Sequence, residues 1–220
     1  VTDADRASED IIMGAIAREF PGHDILTEET ETEGSGSRWL WVVDPLDGTI
    51  NFAHGFPHFC ISMALMEKER IFAGMIYDPL KDERFCAVQG RGAFLNGNRI
   101  RVSGATKLTE SVVATGFPYD RAYSPDNNVA EFSRVVTRVQ GMRRAGSAAL
   151  DLAYVACGRL DGFWELKLKP WDQAAGMLLV AEAGGTVTDK EGLPTDIHTQ
   201  SVVATNGLIH DVLVAALADS

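Results

Sequence analysis

Two acids stand three positions apart at the end of an apolar run. Trp41-Val42-Val43 is followed by Asp44, Pro45, Leu46 and Asp47, and then by Gly48, Thr49, Ile50 and Asn51. Two carboxylates held close together on a rigid stretch repel each other unless a cation joins them. Pro45 fixes the backbone between them. Ligands that are all oxygen select a hard ion, Mg²⁺ first. Gly48 lets the main chain come close to a ligand. The amides of Gly48, Thr49 and Ile50, if they open a helix, form an anion pocket. Val42 and Val43 read as buried strand, and the mouth of a sheet is where sites of α/β proteins form.

Two more acidic positions obey the same rule. Glu28 and Glu29 follow the apolar Ile25-Leu26 in "LTEET", and Asp172 follows Trp171 in "LKPWDQAAG". Each has an ordinary explanation when taken alone. Asp-Pro and Asp-Gly are turn dipeptides, Glu28-Glu29 suits a solvated loop end, and Asp172 suits a helix N-cap. Taken together, every acid follows a hydrophobic stretch and none has a cation at helical spacing, which favours a shared metal site. Next to the acids there is no candidate histidine or cysteine except His54, which reads as a structural residue of its loop, so no protein nucleophile is evident.

The elements that must hold these residues are legible in outline. Thr2 and Asp5 form a capping box, Ala7, Ile11, Ala15 and Ile16 follow at helical spacing, and Pro21-Gly22 ends the helix. Strands are expected over 25–26, 40–43, 59–65, 71–77 and 85–88. Asn96-Gly97 predicts a type I′ hairpin. The polar stretch 116–128, with two prolines, reads as a loop near a domain boundary. Beyond it helices are expected over 128–139, 148–156, 172–183 and 208–218, with strands near 162–165, 186–188 and 202–205. A first α+β domain, 1–118, then carries a mostly antiparallel sheet and most of the acids, and a second α/β domain, 119–220, carries Asp172. "ETETEGSGS" (29–37) is the one flexible-looking stretch.

Bulk properties narrow the function. The 220 residues are 45% hydrophobic and 23% charged, enough for one large domain or two small ones, with a formal net charge of -11. An acidic surface repels phosphodiester backbones, which argues against nucleic acid. A phosphorylated substrate would need bridging cations. Cys60, Cys86 and Cys157 are odd in number and scattered; they read as buried thiols in a reducing, cytoplasmic setting. No apolar run approaches membrane-spanning length, and no signal peptide is visible.

The quoted motifs resemble those of the inositol monophosphatase family. "WVVDPLDGTINFAHGFP" (41–57) is similar to its first signature, "KPWDQAAGMLLVAEAGG" (169–185) to its second, and "RRAGSAALDLAYVACGRLDGFWE" (143–165) to its substrate-side helix and strand. Haloacid-dehalogenase-like phosphatases also carry Asp and Asp-Gly-Thr at a strand end, but their aspartates are separated by one residue, a spacing the covalent mechanism needs and Asp44 and Asp47 lack. Family members carry a helix and a mobile loop before the position of Val1-Thr2, which the resemblance links to a third-metal environment and a dimer surface.

The resemblance implies a five-layer αβαβα sandwich and hydrolysis of a small phosphate monoester, inositol 1-phosphate by default, without a covalent intermediate. It implies two or three Mg²⁺ ions: Glu28, Asp44 and the Leu46 carbonyl at the first, Asp44, Asp47 and Asp172 at the second, and Glu28 beside a third. Thr49 and Glu28 would activate the attacking water, and the Gly48 and Thr49 amides would grip the phosphate. Asp47, Gly146, Ser147, Ala148 and Glu165 match positions that contact the ring. A homodimer, inhibition by Li⁺ and a phosphorylated polyol or sugar as ligand belong to the same expectation. The alternatives are a fructose-1,6-bisphosphatase or another sugar or nucleotide phosphatase, with Arg143 and Arg144 reaching a second phosphate or only pairing on the surface, and an inactive regulatory binding protein.

Overall fold

The computed structural model describes residues 1–29 and 35–218, so positions 30–34 of the flexible-looking stretch lie outside the described residues. Helix α1 (Asp3–Glu19) opens on the expected capping box: the Thr2 hydroxyl oxygen accepts the Ala4 N–H and the Asp5 carboxylate accepts the Thr2 N–H. Its inward face is not the one the apolar spacing suggests. Ile16 is buried, Ile11 is 73% exposed, and the other buried positions are Asp5 and Glu9. The helix is held by polar links. Ser8 Oγ donates to the Pro45 carbonyl and Thr27 Oγ1 donates to Glu9 Oε1, each at 2.8 Å.

The first sheet has seven strands in chain order: β1 (Asp24–Thr27), β2 (Trp39–Asp47), β3 (Cys60–Glu67), β4 (Arg70–Asp78), β5 (Glu83–Val88), β6 (Gly92–Leu95) and β7 (Asn98–Arg99). β1 runs parallel to β2 and the remaining neighbours are antiparallel. Asn96 and Gly97 both have positive φ, 49° and 81°, as the hairpin between β6 and β7 requires. Helix α2 (Thr49–Ala53) leaves β2 through Gly48 alone.

The second sheet has the order β11-β12-β10-β8-β9. Its strands are β8 (Val112–Thr115), β9 (Gly141–Arg143), β10 (Gly162–Leu166), β11 (Thr186–Thr188) and β12 (Ser201–Thr205), interleaved with α3 (Val129–Val136), α4 (Ala148–Ala156), α5 (Pro170–Glu182) and α6 (His210–Ala218). The passage from one sheet to the other falls between Arg99 and Val112. β8 and β9 are additions to the expected strands, and α3 ends three residues earlier than its apolar run.

α4 and α5 pack on each other and touch both sheets, while α3 and α6 pair outside the second sheet and α1 lies on the first. The order of layers is therefore αβαβα. A central helix must be apolar all round, and eight of the nine residues of α4 are buried. "DQAAG" has a packing reason too. A Cβ on Gly176 would press on Leu152 of α4, and Ala175 already sits against Gly74 of β4, so small residues set the depth of α5. Among the described residues, no helix is long and apolar enough to cross a membrane.

Candidate active site

The opening motif is a bulged strand and not a turn. β2 continues through Pro45 to Asp47, and its register with β3 pairs Asp44 with Ser62 but Asp47 with Cys60. Three steps along β2 match two along β3, so one extra residue is inserted where Pro45 has no N–H to donate. Side chains three apart on a regular strand point to opposite faces. The extra residue brings Asp44 and Asp47 onto one face, and both line a cavity of about 520 Å³.

Glu28, just beyond β1, and Asp172, in the first turn of α5, line the same cavity. α5 begins with Pro at its first position, so Asp172 is its third residue and not the N-cap that the sequence suggests. Its Oδ2 accepts the Lys169 N–H at 2.7 Å. Asp44 Oδ1 accepts the Leu46 N–H at 2.9 Å. Asp47 Oδ2 accepts from Ser147 Oγ at 2.6 Å and from the Ala149 N–H at 2.8 Å. Each aspartate thus has one oxygen fixed by protein donors, the kind of support that orients ligating carboxylates, and all three line the cavity.

The electrostatics show carboxyls that raise one another. Burial, then Asp47, Glu28 and Asp172, push Asp44 well above the usual carboxylate range. Asp172 rises to about 7 through burial and Asp47, against the pull of the Lys169 N–H. Glu28 also rises to about 7. Burial of its carboxyl is the largest cause, although the residue as a whole is exposed, and Glu29, Asp47 and Asp5 add to the effect. Burial raises Asp47, while Ser147 and the Ala149 amide hold it down. Among the described residues these side chains do not already form a closed ligand set around one point; they form one wall. An all-oxygen wall whose members raise each other's pKa fits a hard divalent cation.

Gly48 has φ 96°, and a Cβ there would meet the His58 carbonyl at 3.0 Å, so only glycine makes this step from β2 into α2. The first amides of a helix have no partner within it, and Gly48 and Thr49 line the cavity. Thr49 Oγ1 lies 3.0 Å from both Asp5 Oδ1 and the Leu46 carbonyl oxygen, and its single proton serves one of them at a time. Asp5, read from the sequence only as a capping residue, is therefore part of the site. Asn51 Nδ2 donates to the carbonyls of His58 at 2.7 Å and Ala145 at 2.9 Å, joining the two halves of the chain. His54 is exposed at the C-cap of α2.

Gly146, Ser147, Ala148 and Glu165 also line the cavity. Gly146 has φ 88° and turns the chain into α4, and Ser147 caps that helix by accepting the Leu150 N–H at 3.3 Å. Glu165 leaves the end of β10 beside Gly116. Arg144 lies at the rim, whereas the Arg143 guanidinium bonds the Met142 carbonyl. Every site residue expected from the sequence lies on this one cavity. Asp5 and Asp151 are the additions.

The full chain, residues 1–220, matches the model of the inositol monophosphatase family. An inositol-1-monophosphatase of Synechocystis sp. is 47% identical over 219 residues, 99% of this chain and 76% of that one. A Nus factor SuhB of Pseudomonas aeruginosa is 47% identical over 211 residues, 94% of this chain and 78% of that one. The solved inositol monophosphatase from Anabaena superposes with a TM-score of 0.95 at 50% identity, covering 99% of this chain and 86% of that one.

Proposed function

Because the chain belongs to the inositol monophosphatase family, we propose that it is a Mg²⁺-dependent phosphatase acting on a small phosphorylated polyol, with inositol 1-phosphate as the first substrate. The observation that carries this reading is the convergence of Glu28, Asp44, Asp47 and Asp172 with the start of α2 on one cavity. Glu28, Asp44, the Leu46 carbonyl, Asp47 and Asp172 would hold two or three ions. Bound Mg²⁺ supplies charge neutralisation at the phosphate, a more acidic water and support for the departing oxygen.

The rest is done by the chain. The free amides of Gly48 and Thr49 hold the phosphate. The Thr49 hydroxyl donates to Asp5 and turns its lone pairs towards the attacking water, so Asp5 orients Thr49 while Glu28 takes the proton. Ser147 and the Ala149 amide keep Asp47 in place. Glu165, with Gly146, Ser147 and Ala148, faces the leaving group. A homodimer working in the cytoplasm completes the reading.

The test is phosphate release with Mg²⁺ over a panel of polyol, sugar and nucleotide monoesters. Hydrolysis of inositol 1-phosphate, lost on chelation and inhibited by Li⁺, is expected. A preference for fructose 1,6-bisphosphate would move the assignment to that branch. The Nus factor name of one relative favours a second reading, a binding protein on the same fold. A folded protein that releases no phosphate from any ester would favour it.

A further inference from the structure

Helix α4 reads Ala148-Ala149-Leu150-Asp151-Leu152-Ala153-Tyr154 at its start, and one acid stands in that apolar run. Asp151 is 2% exposed and lines the same cavity as Glu165. Among the described residues, neither the Asp151 nor the Glu165 carboxylate has a protein hydrogen-bond donor. Burial holds both carboxyls well above their ordinary range; Asp47 adds to this at Asp151, and Asp151 is the foremost charge acting on Glu165. Arg144, at the rim, is the cation that eases both.

An acid in the first turn of a helix has an ordinary use, since it complements the helix dipole. That use is met at the surface and does not require burial. Neither carboxylate is among the buried atoms left without a partner, which among the described residues are His58 Nε2, Arg134 Nε and Gln173 Oε1, so both open on the cavity they line; position 151 would hold leucine or alanine as its neighbours do if packing alone decided it. Arg144 offsets only part of the charge of the pair. Acceptors that open on the cavity and have no protein donor can take the hydroxyl groups of a ligand there in place of solvent.

We propose that Asp151 is a specificity-determining residue that, paired with Glu165, accepts hydrogen bonds from two hydroxyls of the leaving group, so that the favoured substrates are polyol monoesters. The inference rests on the phosphatase reading above. A site built to accept hydroxyl donors discriminates strongly against esters that lack them. Phe117 and Tyr119, which also line the cavity, offer no comparable acceptor.

The experiment compares wild-type protein with Asp151→Asn and Asp151→Ala, with Mg²⁺, on inositol 1-phosphate and on p-nitrophenyl phosphate, which has no hydroxyl on its leaving group. Losing a hydrogen bond to a charged group should lower kcat/KM on the inositol ester about tenfold or more, mostly through KM, for both variants. The aryl ester should be cleaved within about twofold of wild type. Melting without metal reports folding, and Asp151→Asn should melt no lower than wild type because it removes a buried charge. Equal losses on both esters, or none on either, would overturn the inference while leaving the phosphatase reading intact. Wild-type protein that cleaves neither ester overturns that reading, and this inference with it.

Discussion

Asp44 is the residue on which the site turns, because it couples to Asp47, Glu28 and Asp172 together. Asp44→Asn keeps the shape and can still accept the Leu46 N–H, but removes a charge that two cations would share. Residues one step removed from a metal typically cost about 10–100-fold when mutated, so loss of phosphatase activity beyond that range is expected, with weaker Mg²⁺ binding. The metal-free melting temperature should hold or rise, since one repelling charge is gone. Thr49→Ala separates binding from chemistry: Mg²⁺ titration should stay near wild type while kcat falls about 10²–10⁴-fold, the range for a lost proton-handling group. Substantial activity in Asp44→Asn, or its unfolding with or without Mg²⁺, would make the motif a structural bulge and nothing more. Of the eleven residues expected on this cavity, Glu28, Asp44, Asp47 and Asp172 stand out in the sequence because each follows an apolar stretch, and Gly48 and Thr49 because they follow the paired acids; Leu46, Gly146, Ser147, Ala148 and Glu165 came from the family resemblance. Neither Asp5 nor Asp151 was expected. Asp5 already had a local use in the capping box, and its bond to Thr49 spans 44 positions. The signal for Asp151 was present, an acid inside a helix with no polar stripe.

Elements place these residues with different degrees of tolerance. Long, cleanly patterned elements were readable: α4 lies where its apolar run predicts, and the Asn96-Gly97 hairpin follows from its turn residues. The bulge in β2 was not readable, because the Asp-Pro and Asp-Gly dipeptides mimic a turn, and only pairing with β3 shows the strand running on. The inward face of α1 misled for the opposite reason. It packs through Asp5, Ser8 and Glu9 against Thr49 of α2, Pro45 of β2 and Thr27 of β1, so its apolar spacing does not report which face is buried. β8 and β10 offer a direct test of element placement. Gly116 follows β8, and a Cβ there would overlap the Glu165 carboxylate at the end of β10. That carboxylate is the mobile end of its side chain, so Gly116→Ala should fold and move it aside. Expected is a fall of about tenfold in kcat/KM on inositol 1-phosphate, with the aryl ester nearly spared. A variant that loses both substrates alike would mean that the strand and not the carboxylate has moved.

At the scale of the whole molecule, the net charge of -11 and the carboxylate wall make stability depend on pH and on divalent cations together. The sign follows from the shifts. Glu28 and Asp172 have folded values of about 7, against ordinary values of 4.5 and 3.8, and Asp44 is raised as well. Between those limits the folded chain keeps protons that the unfolded chain has released, so stability falls as pH rises. Their contribution is fully present below about pH 4 and gone above the folded values near 7. Asp5, Asp24, Glu83 and Asp196 are shifted downward; their contribution is present above the ordinary range and lost only as pH falls below it, so they do not mask the window. His58 and His210 are lowered by burial and gain stability as pH rises through the ordinary imidazole range, but the raised carboxyls outnumber them. Mg²⁺ would bind the deprotonated carboxylates and not the protonated ones, and ligand linkage would then add to stability as pH rises. Chelator-treated protein should therefore melt lower at pH 8 than at pH 5.5, and the rise in melting temperature on adding Mg²⁺ should be small at pH 5.5 and several degrees at pH 8. NaCl at matched ionic strength separates the two causes, because screening relieves the general surplus of negative charge without filling a site. In Asp44→Asn the Mg²⁺ increment should shrink while the NaCl increment stays. An increment that is equal at both pH values, or that NaCl reproduces in full, would mean that the wall of carboxylates repels but does not bind.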